Sequence, residues 1–313
     1  MKALLQMIRR VAEEPFRPWA LATLVRTQGS TYRKPGARLL VCSEGGIVGV
    51  LSGGCLEDEI AQHGRRVIDT GAPQLLSFDT RRLYGCDGKL QIFVERIPPA
   101  GAEGNLLTQL GEKLERREAC RVRTCFEQGS LGSDLLPPDA LLAERAGVFI
   151  HAVPLPIRLL LFGTGPEIEP LTSLGANLGW IVQRHAHPTE LADDFRPDSQ
   201  TAAVVMTHHF GRDLAALDRL LPLRLPYVGL LGPRKRHTEL IARLQEYRPI
   251  DPEWFDPLHA PAGLDIGSEA PEEIALSIVS EVAAVLAGRR GGCLRERNDA
   301  AQPAPAARDG KAA

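Results

Sequence analysis

From Arg158 onward the chain alternates apolar, strand-like runs with helix-length stretches, and this alternation constrains the fold more than any other feature. "RLLLFGTG" runs into a glycine turn, a helix is expected from Pro166 to about Leu178, and the strand "GWIVQRH" follows. "TAAVVMTHH" and "LPYVGLLG" are further apolar strands, with the helix "RDLAALDRLL" between them. Apolar strands separated by helices are buried on both faces, which means a mainly parallel sheet with helices on either side. "SEAPEEIALSIVSEVAAVLAG" closes this region as a helix, with Pro271 in its first turn, two glutamates at its positive end and Gly288 past its last turn. The domain so defined spans residues 158–288. Residues 289–313 lack periodicity and are expected to be a disordered tail.

Residues 1–97 form a different α/β pattern, expected to be an N-terminal domain. An amphipathic helix over about 3–14 precedes the strand "WALATLVRT", with "ARLLVCS" and "IVGVLS" as the next two strands. A helix starts near Leu56 and stops at Gly71, and "PQLLSFD" and "KLQIFVERI" are later strands. Residues 98–157 mix helical spacing with two strand-like runs and are read as the end of the first domain plus a linker, closed by the prolines of "VPLPIR". The acids and arginines that interrupt the N-terminal apolar residues argue against a secretory signal.

Composition narrows the function classes. A net charge of −2 offers no general attraction to nucleic acid or anionic membrane, and 5% aromatic residues leave few stacking platforms. No apolar run approaches the roughly 20 residues a spanning helix needs, so no membrane partner and a cytoplasmic location are expected. The six cysteines contain no C-x-x-C pair, so neither a zinc knuckle nor a thioredoxin-type motif is present, and free thiols are expected.

Two regions carry chemistry. In "SGGCLEDE", Gly53 and Gly54 permit positive φ or close ligand approach, and Cys55 follows at the head of a helix. The helix dipole favours a thiolate there, while Glu57, Asp58 and Glu59 oppose it. Cys86, in "YGCDGK", lies on a second cysteine loop, and "GSTYRKPG" places Arg33 and Lys34 beside a rigid Pro-Gly turn as phosphate donors or as an ordinary surface loop. Cys42, inside a strand, belongs to the core. In the second domain, Gly163 and Gly165 open a helix whose N-terminal amides suit a phosphate. The third glycine of a dinucleotide fingerprint is replaced by Ile168, and "IVQRHAH" carries no acid for a ribose, so NAD(P) is disfavoured. His208, His209 and Arg234 project towards the same rim, where they bind an anionic ligand or simply cap a strand end.

Taken together, "GSTYRKPGARLLV", "GGIVGVLSGGCLEDEI", "YGCDGKLQIFVERI", "LLLFGTGPEIEPL", "VVMTHHFGRDLAAL", "YVGLLGPRKR" and "PAGLDIGSEAPEEIALSIVSEVAAV" resemble the XdhC/CoxI family, the accessory proteins of xanthine dehydrogenase and related molybdenum hydroxylases. The resemblance covers most of residues 10–287. It implies an α/β architecture, with an XdhC/CoxI-type N-terminal domain followed by a Rossmann-like domain. It also implies that the chain binds molybdenum cofactor in its molybdopterin form as cargo, protects it, supports its sulfuration and inserts it into an apo molybdenum hydroxylase. The implied partners are that hydroxylase, a cysteine desulfurase, the molybdenum cofactor biosynthesis proteins and a second copy of the chain. On this reading Gly53, Gly54, Cys55, Arg33, Lys34, Cys86, Gly163, Gly165, His208, His209 and Arg234 face the cofactor, with Cys55 near the metal. The chain departs from the family pattern at Asp87, where a glycine is usual, at Pro166, where a histidine is frequent, and at the missing acid after the second Rossmann strand. Two other classes remain on the residues alone: an NAD(P)-dependent oxidoreductase, and a thiol enzyme with Cys55 as nucleophile.

Overall fold

The computed structural model describes residues 1–79, 88–100, 102, 104–127, 129–137, 140, 145–247 and 251–296. Its two compact units are Met1–Leu155 and a second that begins at Pro156.

The first unit opens with α1 (Lys2–Glu13), which buries Met7 and Val11, one turn apart, and exposes ion pairs such as Arg9–Glu13. Then come β1 (Trp19–Gly29), β2 (Arg38–Cys42), β3 (Ile47–Gly49), α2 (Glu57–Thr70), β4 (Gln74–Asp79) and β5 (Gly88–Ile97). The strands pair antiparallel in the order β3-β2-β1-β5-β4. Central β1 is buried on both faces over its first seven residues. Trp19 and Leu21 face one core, whereas Ala20, Ala22 and Leu24 face the core that includes Ile60 and Val67 of α2. Small residues let α2 lie close: a Cβ on Gly64 would sit 2.9 Å from Val41. Gly71, at φ 71°, ends the helix in the left-handed conformation.

The chain continues through α3 (Leu106–Glu115), N-capped by the Asn105 side chain, into β6 (Cys120–Cys125), β7 (Gly132–Leu136) and β8 (Val148–Val153). These strands form an antiparallel sheet in the order β7-β6-β8. The stretch 98–157 thus carries a helix and a sheet, and Leu107, Leu110, Cys120, Val122 and Val153 share a core with Met7, Trp19 and Leu21. Arg38 of β2 donates to His151 of β8 at 3.0 Å, tying the two sheets together. Burial pushes Arg38 down to about 10 and His151 down to about 3, so His151 accepts as a neutral ring.

The second unit runs β9 (Arg158–Phe162), α4 (Ile168–Leu178), β10 (Ile181–His185), β11 (Thr201–Val205), α5 (Phe210–Leu220), β12 (Tyr227–Leu230), α6 (Arg234–Tyr247), β13 (Leu258–His259) and α7 (Pro271–Leu286). Every strand pair is parallel, in the order β10-β9-β11-β12-β13, with one hydrophobic core on each face. Numbered within the unit this order is 2-1-3-4-5, so the chain reverses direction across the sheet between β9 and β11. Ligands of open α/β sheets bind in the crevice beyond the carboxyl ends of the strands at such a reversal. The basic run after "GLLGP" forms the first turn of α6. Among the described residues no helix is long and apolar enough to cross a membrane.

Candidate functional site

In the first unit the loop 51–56 is shaped by Glu57. This residue opens α2, is buried, and turns its carboxylate back under the loop. Oε1 accepts from the Leu51 and Ser52 amides at 2.9 and 2.8 Å. Oε2 accepts from Ser52 Oγ at 2.5 Å, the Gly54 amide at 2.9 Å and the Leu56 amide at 3.2 Å. Burial works to raise the Glu57 carboxyl, but the donors from Ser52 and the loop backbone outweigh it and hold the group at about 2. Two of the three acids that follow Cys55 therefore face solvent, while the third is consumed as the anchor of the loop.

Gly53 and Gly54 have φ of 81° and 109°, which only glycine adopts readily, and space beside the Gly54 α-carbon is open. The result is a fixed turn that presents Cys55 as an exposed free thiol. The Tyr32 ring lies against Gly53, where an added Cβ would be 3.6 Å away, so the 30–36 loop and the cysteine turn are neighbours. Arg33 and Lys34 are exposed on that loop, and their carbonyls accept from Thr31 Oγ1 and the Ala37 amide. Cys86 lies outside the described residues. Gly88, beyond it, pairs with Gly29 and abuts the Ser30 carbonyl, at the base of the same loop. The sequence reading missed Glu57 as an organiser and Tyr32 as a wall. The signal for Glu57 was a carboxylate in the first turn of a helix preceded by Ser52 and several free amides.

In the second unit the structure brings Gly163, Gly165 and His208 together at the reversal point. Gly163, at φ 142°, packs against the Met206 carbonyl, and a Cβ on Gly165 would sit 2.9 Å from His208 Nε2. His208 holds φ 55°, an uncommon conformation for a residue with a side chain, and its Nε2 lies 3.4 Å from the buried Glu167. His209 serves as the N-cap of α5, accepting from the Arg212 amide through Nδ1. Arg234 opens α6, and two residues on Arg236 Nη2 donates at 2.5 Å to Asp213, which also accepts from the Thr207 amide and hydroxyl at 3.1 and 2.6 Å. Asp213 is 1% exposed, so it ties the loop after β11 to α6 from inside. Replacing Asp213 with Ala strands these donors, and a loss of about 2–4 kcal/mol is expected in chemical denaturation.

On the other side of the glycine turn lies a cavity of about 410 Å³, lined among others by Thr164, Ile168, Arg184 and Glu190. Arg184 pairs with Glu169 at 2.6 Å, and Glu190 accepts from the Ala186 amide at 2.9 Å. The acid absent from the end of β10 thus enters the cavity wall from the next loop.

Comparison with known proteins agrees with these two halves. Residues 14–79 match the model of the XdhC and CoxI family, and residues 159–282 match that of the XdhC Rossmann domain. A protein of Bacillus subtilis named as a probable subunit of xanthine dehydrogenase is 30% identical over 323 residues, covering 84% of this chain and 91% of the relative. The molybdenum cofactor insertion chaperone PaoD of Escherichia coli is 24% identical over 273 residues, covering 85% and 82%. A crystal structure described as a xanthine dehydrogenase from Bacillus halodurans shares the fold, with a TM-score of 0.74, 24% identity and coverage of 97% and 98%. The chain belongs to the XdhC/CoxI family.

Proposed function

We propose that this protein binds molybdenum cofactor as cargo and delivers it to an apo molybdenum hydroxylase of the xanthine dehydrogenase type. The observation that carries this reading is the rigid turn that exposes Cys55, held from below by five donors to Glu57. A soft sulfur on a preorganised glycine turn suits a thiolate-accepting metal centre, and no hydrogen bond of the turn has to break for a ligand to approach it. Arg33 and Lys34, on the neighbouring loop, supply positive charge for the phosphate of the pterin. The names of the relatives, an insertion chaperone and part of a xanthine dehydrogenase, support the same class of role. From the family resemblance we also propose sulfuration of the held cofactor with a cysteine desulfurase as sulfur donor, receipt of the cargo from the biosynthesis proteins and a homodimeric state.

The second unit, taken by itself, presents the Gly163–Gly165 turn and His208 at the carboxyl edge of its sheet, with His209 and Arg234 at the starts of α5 and α6.

The test is expression beside a source of the cofactor, followed by assay of the purified protein for molybdenum and pterin. Cys55→Ala is expected to retain at least 10-fold less molybdenum and to activate apo-hydroxylase poorly. Its stability should stay within about 0.5 kcal/mol of wild type, because the thiol is exposed. Full retention and full activation by the variant would remove Cys55 from the site. A second reading, an NAD(P)-dependent oxidoreductase, draws on the cavity beside Gly163 with Arg184 and Glu190. Saturable quenching or enhancement of NADPH fluorescence at micromolar protein would favour it.

A further inference from the structure

We infer that the first unit contains an acid-triggered latch, in which protonation of His151 separates β8 from β2 and releases the 30–37 loop. Arg38, on β2, donates through Nη2 to His151 Nε2 at 3.0 Å. A guanidinium can only donate, so Nε2 carries the lone pair and the ring is neutral while the contact lasts. A second proton on the ring sets two cations in contact and turns an N–H towards the Arg38 donor. Water gives little relief, because Arg38 is 8% exposed. Even with a neutral ring the contact is under-satisfied: Arg38 Nε and His151 Nδ1 are buried without a hydrogen-bond partner among the described residues. The ring is otherwise held by stacking on Phe149, with centroids 5.1 Å apart and planes at 11°.

The surrounding elements do not neutralise that added charge. On β5, Glu95 accepts from the Ser133 amide at 2.9 Å through Oε2, and burial raises its carboxyl against the opposing pull of Arg38. Asp134, on β7, is engaged by Arg123 of β6 at 2.8 Å. Burial raises the Cys120 thiol on β6, and β8 carries no charged residue besides His151. Arg33 and Lys34, on the 30–37 loop, have the same sign as the new charge. Burial, and then the Arg38 charge, hold His151 at about 3 against an ordinary 6.5. The open form takes up the proton more readily, so the latch is fully closed above about 6.5 and weakens as pH falls towards 3. Gly36 carries the effect to the loop, since a Cβ added there would sit 2.9 Å from the His151 ring. Beside this contact the Gly36 amide donates to the Leu24 carbonyl at 2.8 Å, and the Ala37 carbonyl accepts from the Leu24 amide at 2.9 Å. A ring that turns outward removes the support under this end of the loop. On the proposed function the same loop offers Arg33 and Lys34 to the cargo, so acid loosens the hold. That last step alone rests on the proposed function.

Amide hydrogen exchange of the full-length, cargo-free protein is compared at pH 7.5 and pH 5.0, after correction for the intrinsic pH dependence of exchange. Wild type is expected to lose protection about 30-fold over 30–37 and 148–153, following about tenfold per pH unit below the ordinary histidine value. His151→Gln keeps an oxygen for Arg38 and has no titrating ring, and it is expected to change less than about 3-fold. Glu95 is present in both proteins, so its own titration cancels from the comparison. In wild type the His151 Cε1 proton resonance, followed by NMR, should stay at its neutral-ring position down to pH 5, a readout that holds even if the variant is unstable. Three results overturn the latch: titration of that resonance near 6.5 in the folded protein, equal loss of protection in His151→Gln, or loss at 148–153 with the loop unchanged.

Discussion

Glu57→Gln is expected to unfold the first unit at a markedly lower temperature than wild type, by roughly 5–15 °C, corresponding to a loss of about 2–4 kcal/mol. The amide matches the carboxylate in shape but offers one oxygen and a donor where five donors converge. At least one buried amide then loses its acceptor, and the charge that strengthened the other bonds is gone. The pH dependence has a defined sign. The folded-state value of Glu57, about 2, lies below the ordinary 4.5, so its contribution is complete above about 4.5 and is lost as pH falls towards 2. That shift corresponds to about 3 kcal/mol. Thermal melts of wild type and variant between pH 7 and pH 2.5 should therefore converge at the acid end. Curves that stay parallel would mean that Glu57 does not carry this stabilisation. Because the same bonds shape the turn that bears Cys55, the proposed function predicts that the variant also retains less cofactor at temperatures where it is still folded.

Gly163→Ala is the second large effect, and it falls on the other unit. Gly163 has φ 142°, and an added Cβ would run into the Met206 carbonyl oxygen and lie 2.8 Å from its carbon. Both atoms are backbone of Met206, the residue just after β11, whose amide donates to the Phe162 carbonyl at the end of β9, so it cannot move away without opening the end of the parallel ladder. A loss of about 2–4 kcal/mol is expected from the combined conformational strain and overlap. Urea denaturation should show the change in midpoint, with the transition of the first unit unaltered. Gly165→Ala, where the added Cβ meets the side chains of Glu167 and His208, should cost less, because His208 is half exposed and can turn away. A smaller penalty at position 163 than at 165 would contradict this account of the turn.

The sequence carried the alternation after Arg158 plainly. Residues buried on both faces, as β9, β11 and β12 are, leave an apolar run that only a covered parallel strand explains. The glycine stops at 71 and 288 and the cysteine turn were visible for the same reason, since each is a local demand on a few adjacent residues. The stretch 98–157 was harder to read, because its short strands are only partly buried and acquire their partners across the sequence.

The site residues divide along the same line. Gly163, Gly165 and His208 could be named from their strand ends, but that the first two pack against the loop after β11 depends on β9 and β11 being neighbours. No periodicity encodes that neighbourhood. Arg236 meets Asp213 because the first turn of α6 aims it there, a direction set by where the helix docks. Glu57 makes the distinction sharpest. As one of three consecutive acids it carries only a charge, and that charge argues against a reactive thiol beside it. The order of residues determined that a thiol stands on a glycine turn at the head of a helix. Only the tertiary structure decided that Glu57 points inward, because burial is tolerable for a carboxylate when enough backbone donors converge on it, and the folded loop 51–56 brings them there.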